Sequence, residues 1–531
     1  MGIQYMSIVE TEDVTYLGNK GYTIYKDSIS IKEQLYIRDE LSVKPYIPKS
    51  PVQPATFPIY RESQNKLYIP RFFGLETYGA PDRIKIAQGN KIELPFNGSL
   101  RDYQENIVNI YKKSINDIDG GGGLLEVPCG RGKTVIALKI ISELKKKTLV
   151  VVHKGFLVDQ WIERIEQFLP GARIGKIQGQ IIDIDDKDIV IGMLQSLSMK
   201  EYPSDMFSSF GLTIVDECHH ISSEVFSRSL LKIVTKYCLG LSATMQRKDG
   251  LTRVFKMFLG EIIYKEKRDG DDGVLVKAVE YKTNDDEFNE TVFDYRGNPA
   301  FSTMISKLCT YNRRSEFILE VLKSEMMEKP NQQIMILAHN KNLLKYLHDA
   351  IEHRNIASAG YYIGGMKKQA LKETESKTVV IATYAMAAEA LDIKTLTTLI
   401  LATPRTDVTQ AVGRILRVKH ERPLVVDIVD SHDMFKKQWM KRKRFYQKNK
   451  YHIIYTDSKL YNKNKNSEVQ SQQSAIIYDD SIWTTLHDPK MKKSKIQITK
   501  SKTSKSQDTK NKDKTCDEIS NPLKGKCLIV L

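Results

Sequence analysis

None of the six cysteines falls in a C-x-x-C pair. That argues against a zinc ribbon and a disulfide framework, and it fits a reducing compartment inside a cell. No apolar run approaches the ~18 residues of a membrane span. The opening MGIQYMS has neither a basic n-region nor an apolar h-region, so a soluble protein is expected. Met6 stands where myristoylation needs Ser or Thr, and four residues follow Cys527 where a prenylation box has three, so neither lipid anchor is expected. After Tyr451 no cluster of carboxylates or His/Cys set has the form of a nuclease metal site.

What the chain has in quantity is positive charge. Lys and Arg number 81 against 65 Asp and Glu, a net +16 over 531 residues, which points to a polyanionic partner. Half of the surplus lies between Lys490 and Leu531, where 12 Lys meet four acids in a Lys/Ser/Thr-rich stretch poor in apolar residues. Such a tail is expected to be disordered. A second concentration, KKQWMKRKRFYQKNK (Lys436 to Lys450), has eight basic residues and no acid, with Trp439, Phe445 and Tyr446 interleaved. It reads as an ordered helix, and Lys441, Arg442 and Arg444 are candidates for nucleic-acid phosphates, the alternative being a solvated face.

Length and a 41% apolar content suggest three or four domains. Residues 1–98 are rich in Tyr, Ile and Pro with short alternating stretches, and read as a small β-rich accessory module with nucleic-acid contact among its candidate roles. From Leu124 onward, continuous apolar strands alternate with amphipathic helices, as in GLLEVP, TVIALKIISELKK and KTLVVV, the pattern of a parallel sheet covered on both faces. The pattern lapses near Tyr264 and restarts at QQIMILAH. The expected fold class is α/β, with two tandem parallel-sheet domains: 99–264, a connector 265–330 with a helix leading onward, 331–455, and a basic tail 456–531.

The stretch LLEVPCGRGKTVIAL (Leu124 to Leu138) has the strand, loop and helix context of a phosphate loop, although Val127 replaces the first glycine. Val127, Pro128, Cys129, Gly130, Arg131 and Gly132 form the loop, and its backbone N–H groups would cradle phosphates. Lys133 would reach the β and γ oxygens, and the Thr134 hydroxyl would sit on Mg²⁺. LTIVDECHH ends an apolar strand on Asp216 and Glu217, where one carboxylate can hold Mg²⁺ and its neighbour can polarise water. His219 and His220 have no partner at zinc-ligand spacing.

Together, EVPCGRGKT, VDECHH, GLSAT and QAVGRILR resemble, in order and spacing, the motif set of superfamily 2 helicases of the DExH type, from about Arg101 to Asp430. PCGRGKT, RDYQ and SATMQRKDGL are most similar to helicases of xeroderma group B type and their phage and large-DNA-virus relatives. The text FPIYRESQNKLYIPRFFGLETYG resembles the leading module of poxvirus-type transcript-release DNA helicases, which implies a viral origin. The resemblance implies RecA-like domains, with Gln104 facing adenine and Arg101 nearby. It implies that Ser242, Ala243 and Thr244 couple hydrolysis to domain movement, with His220 relaying to them. It also implies that Gln410, Arg414 and Arg417 reach across the cleft, the two arginines on one helix face at i and i+3. A mobile guanidinium is well suited to a charge-spread transition state, an effect of roughly 10³ to 10⁵ in rate. By the same resemblance Thr383 meets a backbone phosphate, and Glu389 and Asp392 lie near the interdomain seam, although Ala390 stands where glycine is more usual. Lys154, Gln195 and Ser196 are further candidates for phosphate contact.

The expectation is an ATP-dependent DNA helicase or translocase that uses ATP and Mg²⁺. It would act in viral transcription, repair or replication, in host cytoplasm or nucleus or in a virion, with transcription or repair proteins as candidate partners. The alternatives are an RNA helicase and a non-motor scaffold that clamps nucleic acid.

Overall fold

The computed structural model describes residues 14–46, 53–128, 130–203, 205–220, 224–245, 251–266, 273–389, 393–416, 418, 420, 422–461 and 482–490. The first module contains β1 (Thr15–Gly18), β2 (Gly21–Tyr25), the short pair β3 (Ser42–Val43) and β4 (Phe57–Pro58), then β5 (Arg61–Glu62), β6 (Lys66–Ile69) and β7 (Arg83–Ile84). Five of these strands form one sheet in the order β5-β6-β2-β1-β7. Strict alternation seats Leu17, Tyr22, Ile24, Leu67 and Ile69 in the core, all fully buried. Two helices, Ile31–Glu40 and Arg71–Tyr78, also belong to the module.

The first lobe adds β8 (Gly121–Glu126), β9 (Thr148–Val152), β10 (Ile174–Gln178), β11 (Ile181–Ile182), β12 (Ile189–Met193), β13 (Leu212–Asp216), β14 (Tyr237–Ser242) and β15 (Ile262–Lys265). Their order is β11-β10-β12-β9-β13-β14-β8-β15, and only β10 and β11 pair antiparallel. Helices cover both faces, so central strands such as β9 and β14 are buried along their whole length. That is why they read as unbroken apolar runs. Parallel pairing sets Ser242 opposite Glu126 and Asp216 opposite Leu241, which brings the ends of β8, β13 and β14 to one edge.

The second lobe contains β16 (Leu275–Tyr281), β17 (Gln333–Ala338), β18 (Ala359–Tyr362), β19 (Val379–Thr383), β20 (Leu396–Leu401), β21 (Leu424–Asp430), β22 (His452–Asp457) and β23 (Thr484–His487). Their order is β18-β19-β17-β20-β21-β16-β22-β23. Residues 265–330, expected as a connector, thus place β16 inside the second sheet, between β21 and β22. VLVKAVEYK reads as β-like in sequence, but Lys277 and Glu280 on it hid its place inside the buried sheet. Lys277 is satisfied internally by Glu325 at 2.9 Å and by Glu328, both from the helix Asn312–Glu328. The boundary expected at 455 also falls inside the sheet, because β22 continues past it and β23 pairs onto it. The disorder expected of the tail lies outside the described residues.

Among the described residues no helix is long and apolar enough to cross a membrane.

Candidate active site

The phosphate loop leaves β8 with the Val127 N–H donating to the Ser242 carbonyl at 2.9 Å. Gly130 and Gly132 both have positive φ, 83° and 78°. Gly132 caps the helix Lys133–Leu144, and a Cβ there would lie 2.5 Å from Gln104 Nε2. Only glycine suits both constraints. Gln104 is buried and works on the loop itself, its Nε2 donating to the Arg131 carbonyl at 3.1 Å and its Oε1 accepting from the Arg101 N–H at 3.0 Å. The Tyr103 hydroxyl donates to the same carbonyl at 3.1 Å, and the Arg131 guanidinium lies over the Tyr103 ring at 4.0 Å. Arg131 Nε donates to Glu266 at 2.6 Å. Sequence reading missed Tyr103 and Glu266 as braces of this loop. The first was visible inside RDYQ, whereas the second is 135 residues away from its partner. Cys129 lies outside the described residues.

At the end of β13 the Lys133 ammonium meets Glu217 Oε1 at 3.1 Å. Asp216 Oδ1 accepts from the Glu217 N–H and Oδ2 from the Trp161 indole N–H, each at 3.0 Å. Trp161 was legible only as an apolar helix residue, but its ring edge orients this carboxylate. Burial, and next the Glu217 charge, push Asp216 up to about 6 against the pull of Lys133. Glu217 itself has φ 48°, a left-handed conformation that costs a non-glycine residue about 1–3 kcal/mol. Two adjoining carboxylates, one buried and short of counter-charge, suit a hard divalent cation. With Thr134 in the first turn of the helix, Asp216 would hold Mg²⁺, which supplies charge neutralisation to phosphate oxygens when bound.

The relay expected of His220 falls on a side chain outside the described residues, and its neighbour His219 stands beside both elements, its Nδ1 at 2.8 Å from Ser242 Oγ and 3.5 Å from Glu217 Oε2. Ser242 Oγ gives its proton to the Thr244 carbonyl at 2.7 Å, so it accepts from His219 Nδ1–H and from the Thr244 N–H. His219 sits in the short helix Cys218–His220 that follows β13. Ala243 is half-buried between Ser242 and Thr244.

In the second lobe Gln410 is half-buried on a helix that runs only from Thr409 to Val412. The helix has Gly413, a poor helix former, as its C-cap, so Arg414 lies beyond its end. Arg414 is 5% exposed and its Nε donates to the Ala387 carbonyl at 2.6 Å, so it ties two segments of its own lobe together. Arg417, Ala390 and Asp392 lie outside the described residues, as does the Glu389 side chain.

Among the nucleic-acid candidates, Lys154 caps the helix Gly155–Phe168 after β9, and Gln195 and Ser196 open the helix Leu194–Met199 after β12. Neighbouring parallel strands thus set all three at one rim. Gln195 Nε2 donates to the His153 carbonyl at 2.9 Å, and Ser196 Oγ accepts from the Gly179 N–H at 2.9 Å. Phe156, two residues beyond Lys154, packs against the cores of both lobes. Thr383 ends β19, its Oγ1 accepting from the Met386 N–H at 3.4 Å.

Arg442 is a further correction. It is 1% exposed, its Nε and Nη2 fork onto Asp427 at 2.7 and 2.8 Å, and Nη1 donates to the Arg405 carbonyl. A buried aspartate on β21 needs a cation, and the basic run supplies one inward. Trp439 and Tyr446 are buried beside it, whereas Lys441 and Arg444 are exposed.

A family profile described as "Type III restriction enzyme, res subunit" matches residues 97–247. A protein of Acanthamoeba polyphaga mimivirus, provisionally named an ATP-dependent RNA helicase, is 35% identical over 447 residues, 82% of this chain and 85% of its own. A protein of African swine fever virus with the same provisional description is 28% identical over 382 residues, 67% of this chain and 74% of its own. A DNA 3'-5' translocase of Sulfurisphaera tokodaii is 35% identical over 170 residues, 32% of this chain and 36% of its own. The crystal structure of the Pyrococcus furiosus Hef helicase domain overlaps 65% of this chain and 98% of that chain at 14% identity and a TM-score of 0.45.

Proposed function

The chain belongs to the superfamily 2 helicases, ATP-hydrolysing enzymes that act on nucleic acid, and from that premise we propose that it is a motor that moves along or unwinds DNA. The observation that carries the reading is the meeting of Lys133 and Glu217 at 3.1 Å beside Asp216. It joins the phosphate loop and the acidic strand end in one pocket.

In this reading Lys133 and the N–H groups of the loop bind the phosphates, and Thr134 and Asp216 hold Mg²⁺. Glu217, held in its strained backbone position, orients the attacking water and takes its proton. His219 carries any shift of Glu217 to Ser242 and Thr244, so that loss of the γ-phosphate is felt at the end of β14. Gln410 and Arg417 approach the nucleotide from the second lobe, and Arg414 positions them by holding Ala387. Lys154, Gln195, Ser196 and Thr383 grip the backbone of the track, and alternate gripping as the lobes close and part converts hydrolysis into steps.

Backbone contacts do not choose between DNA and RNA. DNA is favoured by the 35% identity to the Sulfurisphaera DNA translocase over 170 residues. RNA is the second reading, favoured by the provisional names of the viral relatives. ATPase measured in parallel with single-stranded DNA, duplex DNA and RNA tests both. DNA should stimulate turnover about tenfold or more, and Lys133→Ala should lower it by about 10² or more. Turnover indifferent to every nucleic acid sinks the motor, and stimulation by RNA alone reverses the choice of track.

A further inference from the structure

The face of the first sheet turned away from the core has a composition the motor does not use. Register places Arg61 of β5, Tyr68 of β6, Thr23 of β2, Tyr16 of β1 and Arg83 of β7 in one row across all five strands. Lys66 and Tyr25 pair in the row beside it. Four lysine-to-ring contacts join these rows: Lys66 Nζ lies 4.5 Å from the Tyr25 centroid and 5.2 Å from that of Tyr16, Lys85 lies 4.5 Å from Tyr16, and Lys20 lies 4.9 Å from Tyr68. The Tyr16 and Tyr25 centroids are 6.0 Å apart.

The nearby carboxylates are committed elsewhere. Alternation along β5 turns Glu62 to the opposite face, where Lys26 and Arg38 hold it at 2.8 and 2.9 Å. Asp82 accepts from the Val14 and Thr15 N–H groups and from the Thr15 hydroxyl. Apart from Thr23, fully buried at the centre of the row, the side chains of these rows are aromatic and basic.

We propose that this face is a second nucleic-acid site, a stacking platform for single-stranded DNA or RNA that is separate from the motor's track. Tyr16 and Tyr68 are two strands apart, roughly 10 Å, a span that suits successive unstacked bases. Each base stacked on an aromatic ring contributes about 1–3 kcal/mol whatever its identity. Tyr16, Tyr25 and Tyr68 are half-buried, and a lysine over a ring at the surface is held by only about 0.5–1 kcal/mol, so it can yield the ring to a base and take a phosphate instead. Charge favours a polyanion over an apolar protein surface.

The platform rides on the first lobe. Arg71, the first residue of the helix after β6, is buried, and its guanidinium donates to the carbonyls of Lys236 at 2.8 Å, Thr235 at 3.4 Å and Asp119. Those carbonyls precede β14 and β8, so the module docks at the edge opposite the phosphate loop, a strand length of roughly 20 Å away.

The test uses the full chain without nucleotide and fluorescein-labelled oligo(dT) and oligo(U), read by anisotropy across a salt series. One variant carries Tyr16→Leu, Tyr25→Leu and Tyr68→Leu. A second carries Arg61→Gln, Lys66→Gln and Lys85→Gln, which alters only cations at the surface and decides the question should the first fold poorly. Each should lose about tenfold or more in affinity for oligo(dT), oligo(U) or both, the arms telling DNA from RNA. The charge variant should also flatten the salt slope by about 0.7 per lost phosphate contact. Basal ATPase should stay at the parent value in both. Affinity within about twofold of the parent in the charge variant overturns the proposal and leaves a protein partner for this face. The inference takes only its class of ligand from the helicase reading. Because the assay contains no ATP, its failure leaves the motor intact, and a failed ATPase test leaves the platform standing.

Discussion

Glu217 shows how a single residue carries constraints from three directions. Its backbone is left-handed, its Oε1 meets Lys133 at 3.1 Å and its Oε2 faces His219 at 3.5 Å. Strain at a non-glycine position persists only where the surroundings over-determine it, and here the lysine, the histidine and the Asp216 carboxylate do so. The two histidines that follow are chemically equal in sequence, and His219 is the one seen against Glu217 and Ser242. His219→Ala should uncouple the enzyme, with nucleic-acid-stimulated turnover falling by about tenfold or more while the KM for ATP stays within about threefold. His220→Ala should leave both near the parent. Steady-state kinetics on the two variants decide the assignment, and equal losses would return the relay to an open question.

At the scale of elements, the helix Asp433–Lys448 separates what charge counting merges. Its basic run was legible as a helix, but which cations face inward depends on where Asp427 of β21 lies. Arg442→Met removes the partner of a fully buried carboxylate and should destabilise the protein by about 3–5 kcal/mol. Pairing it with Asp427→Leu should recover most of that loss, because the buried charge then disappears as well. Lys441→Gln with Arg444→Gln should leave the melting temperature unchanged and lower affinity for nucleic acid at low salt. Thermal denaturation beside a binding salt series separates the two sets. β16 teaches the same lesson in reverse. Lys277 and Glu280 left a segment that reads as β-like outside the expected second sheet, because the ion pair that licenses its burial comes from a helix some fifty residues on.

For the whole molecule, the attachment of the first module decides whether it acts as a tethered appendage or as part of the first lobe. Its hydrophobic core is continuous with that lobe, Phe73 and Ile69 packing in one cluster with Phe255 and Phe258. Arg71 adds a polar latch made to carbonyls, and burial depresses its pKa from the ordinary guanidinium value. Arg71→Met should leave those buried carbonyls short of donors at about 1–3 kcal/mol each. The expected result is faster amide exchange in β1 and β2, with basal ATPase within about twofold of the parent. Unchanged exchange would show that packing alone holds the module.

Much of this protein follows from sequence because its signals are local. An apolar run buried on both faces, a glycine pair before Lys133 and Thr134, and a strand that ends on Asp216 and Glu217 each carry their meaning within about ten residues, since strand burial and helix capping act over that range. The two tandem sheets, the phosphate loop and the acidic strand end were therefore readable in advance. The inward turn of Arg442 and Arg414, the choice of His219, the indole that holds Asp216 and the aromatic row across the first sheet were not. Each depends on a partner brought near only when strands distant in sequence take their places side by side, and burial, ion pairing and register exist only after that assembly.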